Sequence, residues 1–376
     1  MPYSMNNKTV KFRNPETFLP EANMRKALSS WPGRTFRIGG TRSLGIVLFL
    51  TALALSQGHV LWAAPSAGTG PVLQQDLFSV SFPSQTHGWA CGRWGRILHT
   101  SDGGATWSVQ ASGTDYTLTG ISFLDDQTGW AVGDKGTILH TLDGGQIWNR
   151  QQSPVDLYLM AVCFVDRSTG WIAGERGQIL HTQDGGQTWT VQFEGPDIIL
   201  KGISFCDSEH GWAAGEYGYI YHTRDKGVHW EHQAGWLRVS EETGDVDAGT
   251  SLFAVRAVSP STAWVVGMEG YAAVTKDGGQ SWLERTGNIP KAHLFGIWAD
   301  LRGTVLLAGS GLLLASSDGG ETFRAVSAEP PVIYGWLYGL CPKGEDSFVA
   351  VGRGGWIYLS DGTATSWRRI YPPHGR

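Results

Sequence analysis

Short apolar segments recur along most of the chain, four to a unit, with Gly- and Asp-containing turns between them. One unit shows the pattern: LTGISFLDD at 118–126, GWAVGDKG at 129–136, TILHT at 137–141 and LDGGQIW at 142–148, followed by another short segment. Short alternating segments separated by turn residues are typical of antiparallel β-meanders. The pattern therefore predicts an all-β fold of four-stranded antiparallel units.

The same unit is repeated seven times. Each copy contains an Asp box, SDGGATW at 101–107 in the first, and the aspartates of consecutive boxes are 41, 41, 41, 52, 41 and 43 residues apart. A period near 40 residues with four strands per unit is typical of a β-propeller, whose radial closure limits exposed sheet edges. We therefore predict a seven-bladed β-propeller over residues 74–371, with a solenoid as the alternative architecture. The box aspartates are Asp102, Asp143, Asp184, Asp225, Asp277, Asp318 and Asp361.

We interpret the Asp box as a structural element. Its carboxylate can accept backbone N–H groups of its own turn, its glycines can adopt positive φ, and its Trp can pack against the neighbouring blade. A calcium loop would need several further oxygen ligands and a downstream Glu. Three boxes depart from the pattern: Lys226 replaces a Gly, Phe323 replaces the Trp, and the last box is stretched to DGTATSW.

The histidines and cysteines do not form a metal-ligand pattern. Four histidines occupy equivalent third-strand positions in different units, which spreads them around the ring. We predict structural histidines, no metal and no cofactor. The cysteines show no CxxC spacing, so we expect buried thiols and leave a disulfide open for an oxidising compartment. These residues are His99, His140, His181, His222, Cys91, Cys163, Cys206 and Cys341.

An apolar run precedes the repeats. Residues 44–56 read LGIVLFLTALALS, arginines lie before the run, and small residues follow it. This arrangement predicts a secretory signal or an uncleaved signal-anchor, and hence an exported protein. The expected organisation is a basic segment at 1–43 with Met24 as an alternative start, the apolar segment at 44–64, a linker at 65–73, the propeller, and a tail at 372–376.

The charge of the repeat region argues against two classes of partner. The chain has 29 basic and 34 acidic residues. Residues 1–63 hold eight of the basic and two of the acidic ones, which leaves 21 basic against 32 acidic residues, a net charge of −11. Such a balance disfavours nucleic acid and anionic lipid as the main partner. We expect a monomer.

One face of the predicted propeller is the candidate interaction surface. Turns between second and third strands share a face with the links between blades, and the Asp boxes lie opposite. Side chains in these turns vary between units, and loops on a rigid scaffold commonly carry binding sites. An insertion at 231–252 and an aromatic-rich stretch at 329–339 join the same face. A solvated rim of charges is the alternative interpretation. The candidate residues are Arg93, Trp94, Arg96, Lys135, Glu175, Arg176, Glu216, Tyr217, Trp236, Arg238, Arg256, Arg353 and Trp356.

The unit GW-x-x-G-x-x-G-x-ILHT-x-DGG-x-x-W, clearest at 129–148 and 170–189, resembles the photosystem II stability/assembly factor family. The resemblance covers about residues 74–371. It implies a seven-bladed propeller without catalytic residues, in a thylakoid lumen or periplasm, that binds newly made membrane-protein subunits and assists complex assembly. The family is described as using an arginine-rich patch; its counterparts here would be Arg93, Arg176, Arg256 and Arg353. Relatives also occur in bacteria without photosystems.

Two other functions fit an Asp-box propeller. A sialidase-like glycoside hydrolase would need three arginines around a carboxylate, an acid/base Asp and a Tyr–Glu pair. The single-copy arginines that could converge are Arg238, Arg256, Arg285 and Arg302, whereas the sialidase-like Phe36-Arg37-Ile38 precedes the apolar segment. An accessory binding protein of an envelope transport or secretion system would differ from an assembly factor only in its partner.

Overall fold

The computed structural model describes residues 9–10, 75–240 and 245–372 of the chain. The predicted signal or anchor segment at 44–64 and the alternative start at Met24 lie outside the described residues. Within the described ranges, no helix has both the length and the apolar character needed to cross a membrane.

The predicted all-β fold is confirmed: seven antiparallel blades of four strands follow one another in chain order. Blade 1 consists of Leu77–Ser81, Gly88–Gly92, Ile97–Thr100 and Ser108–Gln110, and blade 2 of Leu118–Phe123, Gly129–Gly133, Thr137–Thr141 and Asn149–Arg150. Blade 3 consists of Leu159–Phe164, Gly170–Gly174, Gln178–Thr182 and Thr190–Glu194, and blade 4 of Leu200–Phe205, Gly211–Gly215, Ile220–Thr223 and Glu231–Ala234. Those of blades 5 to 7 are Leu252–Ser259, Thr262–Gly267, Ala272–Thr275 and Trp282–Glu284; Leu294–Ala299, Val305–Gly309, Leu312–Ser316 and Arg324–Ala325; Leu337–Lys343, Ser347–Gly352, Ile357–Ser360 and Ser366–Tyr371.

The ring closes between blade 7 and blade 1. First strands of neighbouring blades contact one another around the whole ring, including those of blades 7 and 1. The backbone N–H of Gly354 in blade 7 donates to Asp76 Oδ1, just before blade 1, at 2.8 Å. Blade 7 is widened by Ser327–Glu329, which pairs in parallel with its fourth strand, and Thr9–Val10 pairs with the fourth strand of blade 5.

A buried tryptophan in the second strand joins each of blades 1 to 3 to the next blade. Trp130 stacks on Phe164 of blade 3 with 3.5 Å between ring centroids, and its indole N–H donates to the Gly185 carbonyl of that blade at 3.1 Å. Trp89 and Trp171 stack in the same way, at 3.7 and 3.6 Å. The tryptophans therefore add both apolar burial and a satisfied hydrogen bond to the interfaces between blades.

The Asp box has the structural role that the sequence predicted. Asp143 Oδ1 accepts the Ile147 backbone N–H at 3.0 Å and the Thr141 hydroxyl at 2.8 Å, and the Thr141 oxygen accepts the Gly145 N–H at 2.8 Å. The two glycines of this box have φ of 71° and 84°. Hydrogen bonds to the ionised form lower the pKa of Asp143. The carboxylate is thus occupied by its own turn.

A glutamine in the fourth strand of blades 1, 3 and 4, or directly after it in blade 2, holds the Asp box of the following blade. Gln151 Nε2 donates to the Gly185 carbonyl at 2.9 Å, and its Oε1 accepts the Trp189 indole N–H at 3.1 Å. The box departure at Lys226 keeps this contact, because the Lys226 carbonyl accepts from Gln192 at 2.9 Å. Gln110 and Gln233 donate to the equivalent carbonyls of Gly144 and Gly278.

Blade 6 replaces this bridge by an ion pair. The Phe323 side chain has no N–H to donate, and the position of the glutamine is occupied by Arg285. The buried Arg285 guanidinium lies 2.6 Å from the Glu321 carboxylate in the box of blade 6. The change from Trp to Phe is therefore accompanied by a change of both bridging partners.

The four equivalent histidines are structural, each within its own blade. The imidazole of His222 stacks on Trp212 with 4.0 Å between centroids, and those of His99, His140 and His181 stack on the corresponding tryptophans at 4.7 to 5.0 Å. Burial lowers the pKa of all four, that of His222 to about 4. Among the residues that the structure describes, no group of His, Cys, Asp or Glu is placed to hold a metal ion.

The four cysteines are free thiols. Burial raises the pKa of Cys91, Cys163 and Cys341, and desolvation raises the pKa of Cys206 to about 11. All four thiols are consequently protonated near neutral pH, and the disulfide that the sequence left open is not formed in this structure.

Candidate functional site

The propeller has two distinct faces. Turns between second and third strands lie against the links between blades, as the hydrogen bond from Gly136 N–H to the Leu157 carbonyl shows at 2.8 Å. Asp boxes lie against the turns between first and second strands, where Gly144 N–H donates to the Gln127 carbonyl at 2.9 Å. We call the first surface the turn face and the second the box face. The candidate surface predicted from the sequence is the turn face.

Left-handed backbone recurs at the centre of the turns on the turn face. Trp94, Lys135, Arg176, Tyr217 and Glu269 have φ between 54° and 57°. Glycine adopts this region most readily, and blade 7 has Gly354 there with φ of 65°. Five blades thus keep a large side chain where glycine would be less strained, which points to a use for those side chains.

Several predicted residues are available on the turn face. Trp94 is 67% exposed. Arg93 pairs with Asp76 at 3.1 Å, and Arg96 donates to the Gln75 side chain at 3.2 Å, where the chain enters the propeller. Lys135 is exposed, whereas Arg176 projects from the left-handed turn position and Arg353 begins the equivalent turn of blade 7.

Other predicted residues mainly support the turns. Glu175 and Glu216 accept the backbone N–H groups of Tyr158 and Ile199, both at 3.0 Å. Tyr217 packs against the core between blades 3 and 4, and Trp356 packs against the core of blade 7. The binding role of all these residues stays a prediction.

The insertion between blades 4 and 5 forms a hairpin at the turn face. Its strands are Leu237–Val239 and Val246–Ala248. Trp236, 38% exposed at the base of the hairpin, donates its backbone N–H to the Tyr217 carbonyl in the blade 4 turn at 3.2 Å. Arg238 is exposed on the first strand of the hairpin. Residues 241–244 lie outside the described residues.

The first strands of all seven blades enclose a central channel of about 570 Å³. Near the turn face, its lining includes Phe78, Phe253, Phe295 and Tyr338, and the Trp336 ring lies 6.0 Å from that of Phe295 between centroids. We call these five residues the aromatic arc. Phe295 lies 5.1 Å from Phe253 and 5.3 Å from Tyr338, and Tyr338 lies 5.2 Å from Phe78, all between ring centroids. The arc therefore runs without a break from blade 5 through blades 6 and 7 to blade 1.

A basic group lies over each end of the aromatic arc. Lys201 Nζ is 4.8 Å from the Phe253 ring centroid, and the Arg93 guanidinium carbon is 5.9 Å from that of Phe78. Beside the arc, Tyr334 is 89% exposed and Ile333 is also exposed. This surface combines apolar area with two basic groups that are paired with carboxylates, Arg93 with Asp76 and Lys201 with Glu216, a composition suited to a protein partner.

Most of the arc was not predicted from the sequence. Only Trp336 and Tyr338 fell in a stretch singled out for its aromatics, 329–339. One position in the sequence does indicate the arc. The first strand of each unit begins with Leu, and the residue after this Leu is Phe or Tyr in blades 1, 5, 6 and 7. Comparing the units at that single position would have predicted the arc.

Arg256 was predicted to lie on the turn face, but the structure places it in the channel. Arg256 lies in the middle of the first strand of blade 5, where it pairs with Trp264 of the second strand, and its side chain lines the channel. Its guanidinium stacks over Trp298 of blade 6, with 3.7 Å from its central carbon to the ring centroid. Because of its register in the first strand, this position faces the axis of the ring.

The single-copy arginines do not form a sialidase-like cluster. Arg238 lies on the hairpin of the turn face, and Arg256 lies in the channel. Arg285 pairs with Glu321 of blade 6, and Arg302 pairs with Asp300 in a turn of the box face at 3.0 Å. These four side chains are therefore committed to different surfaces.

A closed ring of seven four-stranded blades held by Asp boxes defines the class of Asp-box β-propellers. Within that class, the family model described as photosynthesis system II assembly factor YCF48 matches residues 71–157 and 146–234, which span blades 1 to 4. These blades carry the repeat of that family, and the predicted resemblance is confirmed.

Solved structures share the fold. The structure of YCF48 bound to D1 peptide is 21% identical with a TM-score of 0.61, and the match covers 77% of this chain and 92% of that one. For YCF48 from Cyanidioschyzon merolae the values are 20%, 0.61, 77% and 96%. For the GH74 enzyme of Niastella koreensis they are 14%, 0.60, 78% and 54%. At these identities the likeness is one of fold. No curated protein matches the chain in sequence.

Proposed function

We propose that this protein is a non-enzymatic binding propeller that holds an extended segment of a membrane-protein subunit across its turn face and so assists the assembly or stability of a membrane complex. The observation that carries the proposal is the aromatic arc, which surrounds the channel mouth and has a basic group over each end. The family resemblance and the YCF48 structure with D1 peptide support the same class of partner.

The physical basis is the kind of surface that the turn face presents. Aromatic rings bury large areas while losing little conformational freedom, and Trp, Tyr and Arg are over-represented among residues that dominate binding energy. Trp94 and Tyr334 add large exposed rings elsewhere on the turn face. Exposed aromatic groups next to one another on a soluble protein commonly mark an interaction site.

The chain enters the propeller on the same face as the proposed binding surface. Gln75 and Asp76 contact Arg96 and Arg93, so the polypeptide enters blade 1 at the turn face. We propose that the apolar segment at 44–64 directs export to a periplasm or thylakoid lumen. If it stays as an anchor, the ten residues from 65 to 74 reach at most about 36 Å. An uncleaved segment would therefore leave only a short link between residue 64 and the first strand of blade 1.

The test is site-specific photocrosslinking in the source cells. A benzophenone amino acid would replace Tyr334 on the turn face or Leu142 on the box face, which are 89% and 68% exposed. We expect crosslinks to one membrane-protein subunit from position 334 and none to that subunit from position 142. Equal crosslinking from both positions, or none from position 334, would refute the proposed face.

Crosslinking also distinguishes the candidate partners. A subunit of a photosynthetic or respiratory complex would identify an assembly factor, whereas a component of an envelope transport system would identify an accessory binding protein. Changing Phe295 and Tyr338 together to Ser should remove the crosslink from position 334, because this change interrupts the aromatic arc at its centre. The matched control changes Leu142 to Ser on the box face.

A further inference from the structure

Below the aromatic arc, the channel has one ring of seven equivalent positions that differ strongly in size. Each residue of this ring pairs with the equivalent residue of the second strand of its blade. Five positions hold small side chains, and two adjacent positions hold large ones. The ring consists of Ser81, Ser122, Cys163, Ser204, Arg256, Trp298 and Cys341. Space is therefore left in front of Arg256, across the channel.

Arg256 is a cation without a counter-ion among the described residues. Its guanidinium stacks on Trp298, and its Nε is buried with no acceptor. The Asp300 carboxylate acts on Arg256 electrostatically but forms no ion pair with it. The Asp300 carboxylate instead pairs with Arg302 and accepts the Thr304 N–H at 2.9 Å. Desolvating an uncompensated charge is unfavourable, so its retention requires a reason.

The rest of the channel leaves this charge uncompensated. Of the described residues that line it, none is Asp or Glu. The other lining cation, Lys201, already has the Glu216 carboxylate at 3.5 Å. Ser81 and Ser204 accept backbone N–H groups of the following blades at 3.1 and 3.0 Å, and each hydroxyl keeps its own hydrogen to donate. The lining thus offers donors and one free positive charge.

We propose that the channel is a binding site for a carboxylate with an apolar or aromatic body. The carboxylate would bind the free edge of the Arg256 guanidinium, which the stack on Trp298 holds in one plane, and the body would contact the aromatic arc above. A planar guanidinium matches a carboxylate in a bidentate manner. A single free cation suits a monoanion better than a phosphate dianion. A channel of about 570 Å³ is within the ordinary size of small-ligand sites.

The carboxylate could belong to a free organic acid or to the C-terminal residue of a polypeptide. Both sources place the same chemistry at Arg256, and the inference does not depend on the partner proposed for the turn face. A site for a free acid would make the propeller a ligand-dependent binder, whereas a site for a chain end would set the polarity of a bound segment.

The experiment is isothermal titration calorimetry on the full-length protein with three probes: 3-phenylpropionate, the peptide Ac-Ala-Ala-Phe with a free carboxylate, and the same peptide as its C-terminal amide. We expect at least one carboxylate probe to bind and the amide to bind at least about tenfold more weakly. Tighter binding of the acid peptide indicates a chain end, and tighter binding of phenylpropionate indicates a free acid.

Variants assign the binding to Arg256. Arg256→Gln should weaken the carboxylate probe at least about tenfold, whereas Arg324→Gln, on the exposed fourth strand of blade 6, should leave it unchanged. Arg256→Lys keeps the charge without the planar fork and should bind with intermediate affinity, which also covers the case in which the Gln variant fails to fold. The proposal is overturned if no carboxylate probe binds, if the amide binds as tightly as the acid, or if Arg256→Lys binds as tightly as the native protein.

Discussion

On the box face, one set of hydrogen bonds recurs in blade after blade, whereas on the turn face neighbouring blades present different side chains. Asp102 and Asp184 make the same carboxylate contacts as Asp143. The turns of the opposite face carry Trp94, Lys135 and other unlike residues at one backbone position. Equivalent interactions between successive blades stabilise a repeat protein, and unlike groups on a rigid frame provide recognition. The box face therefore holds the ring together, and the turn face is free to bind.

The change with the largest expected effect on stability is the removal of one of the repeated tryptophan side chains. Trp130→Ala should lower the free energy of unfolding by about 3–5 kcal/mol, because it deletes the stack on Phe164 and leaves a cavity between blades 2 and 3. Tyr334→Ala, on the exposed turn face, should change it by less than about 0.5 kcal/mol. Urea unfolding followed by circular dichroism measures both. Similar losses for the two variants would contradict the division between the faces.

The second-largest expected effect is a loss of stability at acid pH, which comes from the repeated histidines. In the unfolded chain an imidazole takes up a proton near pH 6.5, whereas burial lowers the pKa of His222 in the fold to about 4. Between these values the unfolded state binds more protons, so stability falls as pH falls through this window. For the buried His222 we expect a loss of about 1–2 kcal/mol between pH 7 and pH 5. The lowered pKa values of His99, His140 and His181 act in the same direction.

The measurement is the urea midpoint at pH 7, 6 and 5. The Asp boxes do not contribute in this range, because hydrogen bonds hold their pKa values below that of an ordinary carboxyl and their contribution is lost only as the pH falls below about 4. His222→Gln should reduce the pH dependence while Asp143→Asn leaves it unchanged between pH 5 and 7. A midpoint independent of pH would show that the stacked imidazoles have the same pKa in the fold as in the unfolded chain.

The altered bridge of blade 6 gives a third test. Arg285→Gln should destabilise the protein by about 1–3 kcal/mol, because it removes the ion pair with Glu321, and the Phe323 side chain has no N–H to donate to the new Gln. Adding Phe323→Trp should recover part of this loss, because it recreates the hydrogen-bonded pair that Gln151 forms with Trp189. A double-mutant cycle on the urea midpoints measures the coupling. Additive effects would show that the two positions are independent.

Much of the fold could be predicted from the sequence because the period and the Asp box report the same unit. The box turn is local: Asp143 and Ile147 are four residues apart, so one short peptide contains the donor and the acceptor. The bridge from Gln151 to Gly185 was not predicted, since its partners lie in different units. A long-range contact of this kind leaves no local signal.

The site was harder to predict for a reason of strand geometry. In each first strand the register with the second strand shifts after the first residue, as between Leu252 and Ala254 in blade 5. A β-bulge interrupts the alternation of side chains between two faces. Simple alternation therefore could not tell that Phe253 and Arg256 both line the channel. The turns were identified correctly as a varied surface, but their sequence did not show that Glu175 and Glu216 are occupied by backbone N–H groups.

The smallest expected effect on stability gives the sharpest contrast between the faces. Lys135 and Arg176 hold the left-handed turn position that is glycine in blade 7. Changing both to Gly relieves a strain of about 1 kcal/mol or more per residue, and the greater freedom of glycine in the unfolded chain offsets much of that gain. The urea midpoint should therefore stay the same or rise slightly. Crosslinking from Tyr334 to the membrane-protein partner should nevertheless weaken, because two basic groups are lost from the turn face.

The matched control is the reverse change in blade 7. Gly354→Arg places a side chain at φ of 65° and should lower stability by about 1 kcal/mol while adding positive charge to the turn face. If instead the double Gly variant loses several kcal/mol, these side chains are part of the frame, and the distinction between a repeated, stabilising face and a varied, binding face fails. If stability is kept and crosslinking is unaffected, the left-handed side chains are a solvated rim, and partner binding depends on the aromatic arc alone.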